Sequence, residues 1–227
     1  MTGYVLHGGG PSRSMLVEMV LAEAGAPYEV VEMDMRAGDH RASEFLALNP
    51  YGWIPALTTP GGETLAETPA INLWLCEEHG LDIVPPPGDP VRGRFLTAFH
   101  NVLGEIEPTM KRIFFAHRYT LRPEETEAHR AQAWQMLGDR LDPIEAQLAG
   151  AGPYLLGQRF SLADLTLAYW LAYADAEGVL DNRPALATLL SRTEARPALA
   201  PVFARHREWM KRLAVLRKPS SGDTDGS

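Results

Sequence analysis

Apolar residues fall in short blocks over the first third of the chain and at helical spacing after it. Tyr4-Val5-Leu6-His7 is a compact run ended by Gly8-Gly9-Gly10-Pro11, which predicts a strand running into a tight turn. From Met15 to Ala24 only Glu18 and Glu23 interrupt the apolar residues, so a largely buried helix is expected, stopped by Gly25. Tyr28-Glu29-Val30-Val31-Glu32-Met33 then reads as a second strand. A strand, a helix and a strand in so short a span predict a β-α-β unit with parallel strands. Ile54–Thr58 and Thr64–Ala66 flank Pro60-Gly61-Gly62, a hairpin signal. A helix should follow from Pro69 to about Glu78, with Thr68 as its N-cap and Pro69 at the first helical position.

The pattern changes after Leu81. Pro85-Pro86-Pro87-Gly88-Asp89-Pro90 predicts an extended connector. Beyond it no strand pattern recurs. Phe95, Phe99, Val102, Leu103 and Ile106 make the stripe of an amphipathic helix. Another helix is expected from Pro123 to Ala149. A third opens at Ser161-Leu162-Ala163-Asp164, where the Ser-x-x-Asp spacing suits reciprocal capping. Shorter helices are expected around Ala185–Arg192 and Ala198–Leu213, then a loose polar tail from Lys218 to Ser227. The boundaries expected are residues 1–80 and 91–215 for two domains, a proline-rich linker at 81–90 and a tail at 216–227.

Composition narrows the function classes. The 227 residues carry a formal net charge of -8 and a pI near 5.4, which argues against nucleic acid or an anionic membrane as partner. Cys76 is the single cysteine, so neither an intramolecular disulfide nor a cysteine-rich metal site can form. The seven histidines are scattered without a ligand spacing, and no metal is expected. No apolar run approaches the ~20 residues that span a bilayer, and the start does not resemble a signal peptide. A cytoplasmic setting is the expectation.

Chemistry concentrates in the N-terminal part. Gly8 to Ser14 joins a strand to a helix, as phosphate-binding loops do. No Gly-Lys-Ser/Thr ends it, however, and Arg13 stands where a G-x-G-x-x-G reading needs its last glycine. What the turn offers instead is two hydroxyls, Ser12 and Ser14, beside helical amides. In Asn49-Pro50-Tyr51-Gly52-Trp53-Ile54-Pro55-Ala56-Leu57 a proline precedes a short strand, which fits a cis Ile54-Pro55 bond. Such a bond leaves the Ile54 N–H and C=O free for an extended peptide. Glu67 and Thr68 add a counter-charge and a helix start that attracts carboxylate. A small peptide bearing a free amine and a free carboxylate suits this combination.

Asn-Pro-x-Gly-x-Ile-Pro-x-Leu followed by Glu-Thr-x-Ala-Ile resembles the glutathione-binding region of the cytosolic glutathione transferases, over about Tyr4 to Leu213. The resemblance is to bacterial, serine-type members of beta or theta kind. It implies an α/β plus all-α fold, with an N-terminal thioredoxin-like β-α-β-α-β-β-α domain and a C-terminal α-helical bundle domain. It also implies glutathione as co-substrate, with Ile54 and Pro55 gripping its cysteinyl part and Glu67 and Thr68 its γ-glutamyl end. A serine at the first turn of such enzymes stabilises the thiolate over the thiol, whose free pKa is about 8.5. Counted back from Gly25, Ser14 resembles the beta-class serine, with Arg13 in place of that class's cysteine. Ser12 lies close to the serine of other classes, and the sequence leaves the choice between the two open.

Gly38-Asp39-His40-Arg41 with Glu44-Phe45 resembles the run of theta- and delta-like members whose histidine reaches the glycyl carboxylate, which makes His40 the matching residue. Trp53 departs from the polar residue common there and is expected either to cover the glycyl end or to pack at a dimer surface. Cys76 reads as a buried hydrophobe and Asp164 as a helix cap. Met110, Ile113, Phe114 and His117 read either as core or, where the stripe faces the cleft, as the electrophile pocket, with Lys111, Arg112 and Arg118 either a solvated face or near enough to orient an anionic group. The family further implies a homodimer. The leading function is conjugation of glutathione to an apolar electrophile. Glutathione-dependent disulfide or peroxide reduction and a non-catalytic binding role remain as alternatives, and the Ser-Ser-Cys turn of zeta-class isomerases is absent.

Overall fold

The computed structural model describes residues 3–217; the tail expected from Lys218 onward lies outside the described residues. The chain divides into two compact units: the residues up to Asn72 with the segment from Pro197, and Leu73–Arg196.

The first unit is built on a four-stranded sheet of order β2-β1-β3-β4. β1 (Tyr4–Gly8) pairs in parallel with β2 (Tyr28–Glu32), from Tyr4↔Tyr28 to Gly8↔Glu32. β3 (Ala56–Thr58) runs antiparallel to both β1 and β4 (Thr64–Ala66). The predicted β-α-β unit and hairpin are therefore present. β3 begins two residues later than its apolar run, because Pro55 has no N–H to give the ladder. The Ile54-Pro55 bond is cis.

Between β1 and β2 lies α1 (Ser14–Ala24), whose Met15, Leu16, Val17, Met19, Val20 and Leu21 are all buried. Gly25 ends it at φ 61°, donating its N–H to the Ala22 carbonyl while the Ala26 N–H reaches Leu21. A 3-10 turn (Asp39–Arg41) and α2 (Ser43–Leu48) precede β3. The last described helix, α9 (Ala200–Arg217), also belongs to this unit and contacts α1. It runs two residues into the stretch expected as tail.

One expectation at α3 (Thr68–Glu78) needs correction. Thr68 does not cap this helix: it lies inside the first turn, and its buried hydroxyl has no hydrogen-bond partner among the described residues. The first helical bond, from the Ile71 N–H, ends on the Glu67 carbonyl at 2.9 Å. Glu67 reaches the position through φ 67°, the sole non-glycine residue with positive φ among those described.

The second unit is helical. α4 (Arg92–Asn101) continues through a π turn (Val102–Ile106) into α5 (Glu107–Phe114). Pro108 cannot donate to the carbonyl of Gly104, which loosens the ladder where the π turn sits. α5 packs on α6 (Thr126–Ala151), which in turn meets α8 (Pro184–Glu194). The Glu145 carboxylate of α6 accepts the Ala185 and Leu186 N–H groups at 2.9 and 2.8 Å, supplying α8 with the cap its own sequence lacks. At the start of α7 (Leu162–Ala174) the predicted capping box is formed. The Asp164 carboxylate, fully buried, accepts from the Ser161 N–H (2.8 Å), the Ser161 hydroxyl (2.6 Å) and the Leu155 N–H (2.7 Å). Burial outweighs these donors and raises its pKa to about 6. Arg159 holds Asp82 and Asp89 at 2.5 and 2.6 Å, tying both ends of the proline-rich stretch.

Candidate active site

The turn after β1 brings the two serines together. Ser12 Oγ lies 2.8 Å from both the Gly9 carbonyl and Ser14 Oγ, and it accepts the Ser14 N–H at 3.2 Å. One hydroxyl has one proton, so Ser12 donates to only one of these acceptors at a time. When it bonds Gly9, the proton between the serines comes from Ser14. Ser14 is wholly buried, whereas Ser12 is half-exposed. Burial thus leaves Ser12 as the hydroxyl that a ligand can reach. Gly8 is what permits this packing, because a Cβ there would stand 1.9 Å from Ser14 Oγ. The amides at the helix start are less available than the sequence suggests: those of Ser12, Ser14, Met15 and Leu16 bond to Gly10, Ser12, Ser12 and Arg13.

Sheet register carries the other residues to the same place. His7 pairs with Ala56 and Ala56 with Ala66, so the next residues along these strands are Gly8, Pro55 and Glu67. The Cβ position of Gly8 is 3.7 Å from Pro55 Cβ as well as close to Ser14. The serine turn, the Ile54-Pro55 strip and the Glu67-Thr68 corner therefore meet at one end of the sheet. Ile54 lies before the β3 ladder, and no hydrogen bond among the described residues engages its backbone. Glu67 is exposed and pairs with no described cation. Its αL backbone costs about 1–3 kcal/mol, a strain that points to a functional corner.

His40 joins through Trp53. The two rings stack with centroids 6.3 Å apart and planes at 22°, and the Arg41 guanidinium lies 5.2 Å from the same indole. Trp53 is half-exposed, while its carbonyl accepts the Asn49 side-chain N–H at 2.7 Å. His40 Nδ1 is buried without a hydrogen-bond partner among the described residues.

In the second unit the four expected pocket residues separate. Met110 and Ile113 are 0% and 2% exposed and fill the interior, so they offer no surface to a substrate. Phe114 is half-buried, edge-on to Tyr173 at 5.9 Å, and His117 is exposed in a 3-10 turn. The neighbouring cations are already engaged. Lys111 pairs with Glu107 at 2.6 Å, while Arg112 and Arg118 lie over Tyr119 and Phe115.

Sequence reasoning missed two contributions, the space at Gly8 and the backbone of Glu67. The glycine run hinted at the first; nothing in a glutamate signals a left-handed conformation.

A domain described as "Glutathione S-transferase, N-terminal domain" matches residues 1–77, and "Glutathione S-transferase, C-terminal domain" matches residues 127–212. Glutathione S-transferase 3 of Zea mays is 31% identical over 199 residues, covering 83% of this chain and 87% of that protein. The maleylacetoacetate isomerase of Pseudomonas aeruginosa is 30% identical over 195 residues, covering 82% and 88%. Among solved structures, a glutathione transferase homologue from Sulfitobacter with bound glutathione superposes with a TM-score of 0.77 at 26% identity, over 90% of this chain and 99% of that one. The chain belongs to the glutathione S-transferase family. It is an enzyme of that kind, with glutathione as co-substrate and the family's thioredoxin-like and helical domains. No helix among the described residues is long and apolar enough to cross a membrane.

Proposed function

We propose that the enzyme conjugates the glutathione thiolate to an apolar electrophile, and that the Ser12–Ser14 pair stabilises that thiolate. The observation that carries this reading is the meeting of the serine turn, the free Ile54 backbone and Glu67 at one sheet end. Ile54 pairs with the cysteinyl backbone and Glu67 holds the γ-glutamyl ammonium. Thr68 contributes its unpartnered hydroxyl to the γ-glutamyl carboxylate, and His40, braced on Trp53, reaches the glycyl end. Ser12 is the donor nearest solvent and Ser14 supports it from beneath. Phe114 and His117 are the surface groups we assign to the electrophile. We place the enzyme in the cytoplasm as a homodimer, and sedimentation at roughly 10 μM, well above typical obligate-dimer dissociation, should show no monomer.

A substrate panel tests the chemistry. Glutathione turnover on an aryl halide or an isothiocyanate supports conjugation. Turnover confined to a mixed disulfide or an organic peroxide moves the enzyme to the reductive reading. The name of the Pseudomonas relative raises a second reading, glutathione-dependent isomerisation, so the panel includes a cis-unsaturated diketo acid. The Ser12-Arg13-Ser14 turn, which departs from Ser-Ser-Cys, weighs against it.

A further inference from the structure

A cleft of about 440 Å³ opens in the first unit between α1, β2 and α9, lined by none of the residues assigned to glutathione. Its volume lies within the roughly 300–1,000 Å³ of small-molecule sites. Met15, Val30, Val202 and Trp209 supply apolar wall. The Trp209 ring rests on the serine turn, 3.3 Å from where a Cβ of Gly10 would stand.

The charges on the remaining wall do not cancel. Glu18, with 12% of its side chain exposed, accepts from Tyr28 Oη at 3.2 Å and is paired with Arg205. That uses the one permanent cation that lines the cleft among the described residues. Burial holds His206 down to about 4, so it is neutral at physiological pH. Glu32 remains. It has no hydrogen bond or ion pair among the described residues, and its charge helps to push the Glu18 pKa up. Its carboxylate lies against the glycine turn, 2.0 Å from where a Cβ of Gly9 would be. The cleft thus presents an uncompensated carboxylate beside an apolar and aromatic wall. An anionic ligand would find Arg205, the only cation among the described lining residues, occupied.

We propose that this cleft is a second binding site, for a small amphipathic amine. The ammonium pairs with Glu32, and the hydrocarbon body lies on Val30 and Trp209, bordering the serine turn.

Calorimetric titration of the full chain with 1-naphthylmethylamine and its neutral isostere 1-naphthylmethanol tests this. Glu32 is exposed, so the amine should bind more tightly by only about 1.5- to fivefold, the scale of a surface ion pair. Glu32→Gln should erase that preference while sparing the alcohol, and Trp209→Ala should weaken both probes. Both variants should bind glutathione as the parent does, which shows that they are folded. Saturating glutathione should leave amine binding unchanged. The proposal is overturned if neither probe binds, if the two bind equally, if the preference survives in Glu32→Gln, or if glutathione displaces the amine.

Discussion

Removing the Ser12 hydroxyl should raise the pKa of the bound glutathione thiol. In the structure this oxygen is the accessible member of the pair, 2.8 Å from Ser14 Oγ and from the Gly9 carbonyl. Ser14 can hold the hydroxyl of Ser12 in place but, being wholly buried, cannot replace it at the ligand. A hydrogen bond to a charged group contributes about 1.5–3 kcal/mol, which corresponds to roughly 1–2 pKa units at 1.36 kcal/mol each. With a free thiol near 8.5, the parent complex should titrate at about 6.5–7.5 and Ser12→Ala close to the free value. For a two-unit shift the thiolate fraction at pH 7 falls about 25-fold, and at pH 8.5 only about twofold. The rate should fall by less than the population, because a more basic thiolate is the better nucleophile, with a Brønsted slope of roughly 0.4–0.5. The deciding quantity is therefore the pKa itself, read from thiolate ultraviolet absorbance in the glutathione complex. Ser14→Ala should shift it less. A larger shift in Ser14→Ala transfers the role to Ser14, and an unmoved pKa in both variants and the double variant refutes serine activation.

Glu67→Gly should separate stability from binding. Relief of about 1–3 kcal/mol of αL strain, less about 0.5–1 for glycine's entropy, predicts a net gain near 1 kcal/mol and a higher thermal midpoint. Calorimetry should show glutathione affinity reduced roughly tenfold or more through the lost carboxylate. Gly8→Ala should drive a Cβ into Ser14 Oγ and cost about 1–3 kcal/mol by urea unfolding, with loss of conjugation. Asp164→Asn addresses pH. The folded pKa of about 6 lies above the ordinary 3.8, so the native state binds the extra proton between these values. That group's contribution to stability is therefore fully present below pH 3.8 and is lost as pH rises through about 6. The stability difference between parent and Asp164→Asn, from urea unfolding, should shift in the parent's favour from pH 7 to pH 5; a difference independent of pH contradicts the assignment.

Local signals survived translation into structure best. The apolar run from Met15, stopped by Gly25, and the Ser161–Asp164 box each depend on residues within a few positions, and each formed as read. Ile54-Pro55 was legible because a proline before a strand has few other uses. Thr68-Pro69 misled by one position, because the chain enters α3 through a positive φ that only the backbone of Glu67 reveals. For Met110 and Ile113 the sequence left core and pocket open, since such a stripe has the same spacing whether it faces a cleft or a core, and the structure puts both in the core. The choice between Ser12 and Ser14 was beyond sequence, because burial is set by Gly8 on the neighbouring strand. Nor could pattern pair Glu18 with Arg205, 187 residues away.

That last pairing has a consequence for synthesis. The N-terminal unit is discontinuous: its sheet and α1 are made first, but the helix that covers α1 comes from the far end of the chain. As the ribosome proceeds, Leu73–Arg196 has its whole sequence before the first unit has all of its own. Glu18, largely shielded in the finished protein, waits without its guanidinium until Arg205 emerges. Domains commonly fold from the N-terminus onward during translation. Here the unit that starts first is completed last, and a fragment ending before Pro197 lacks the helix that packs on α1.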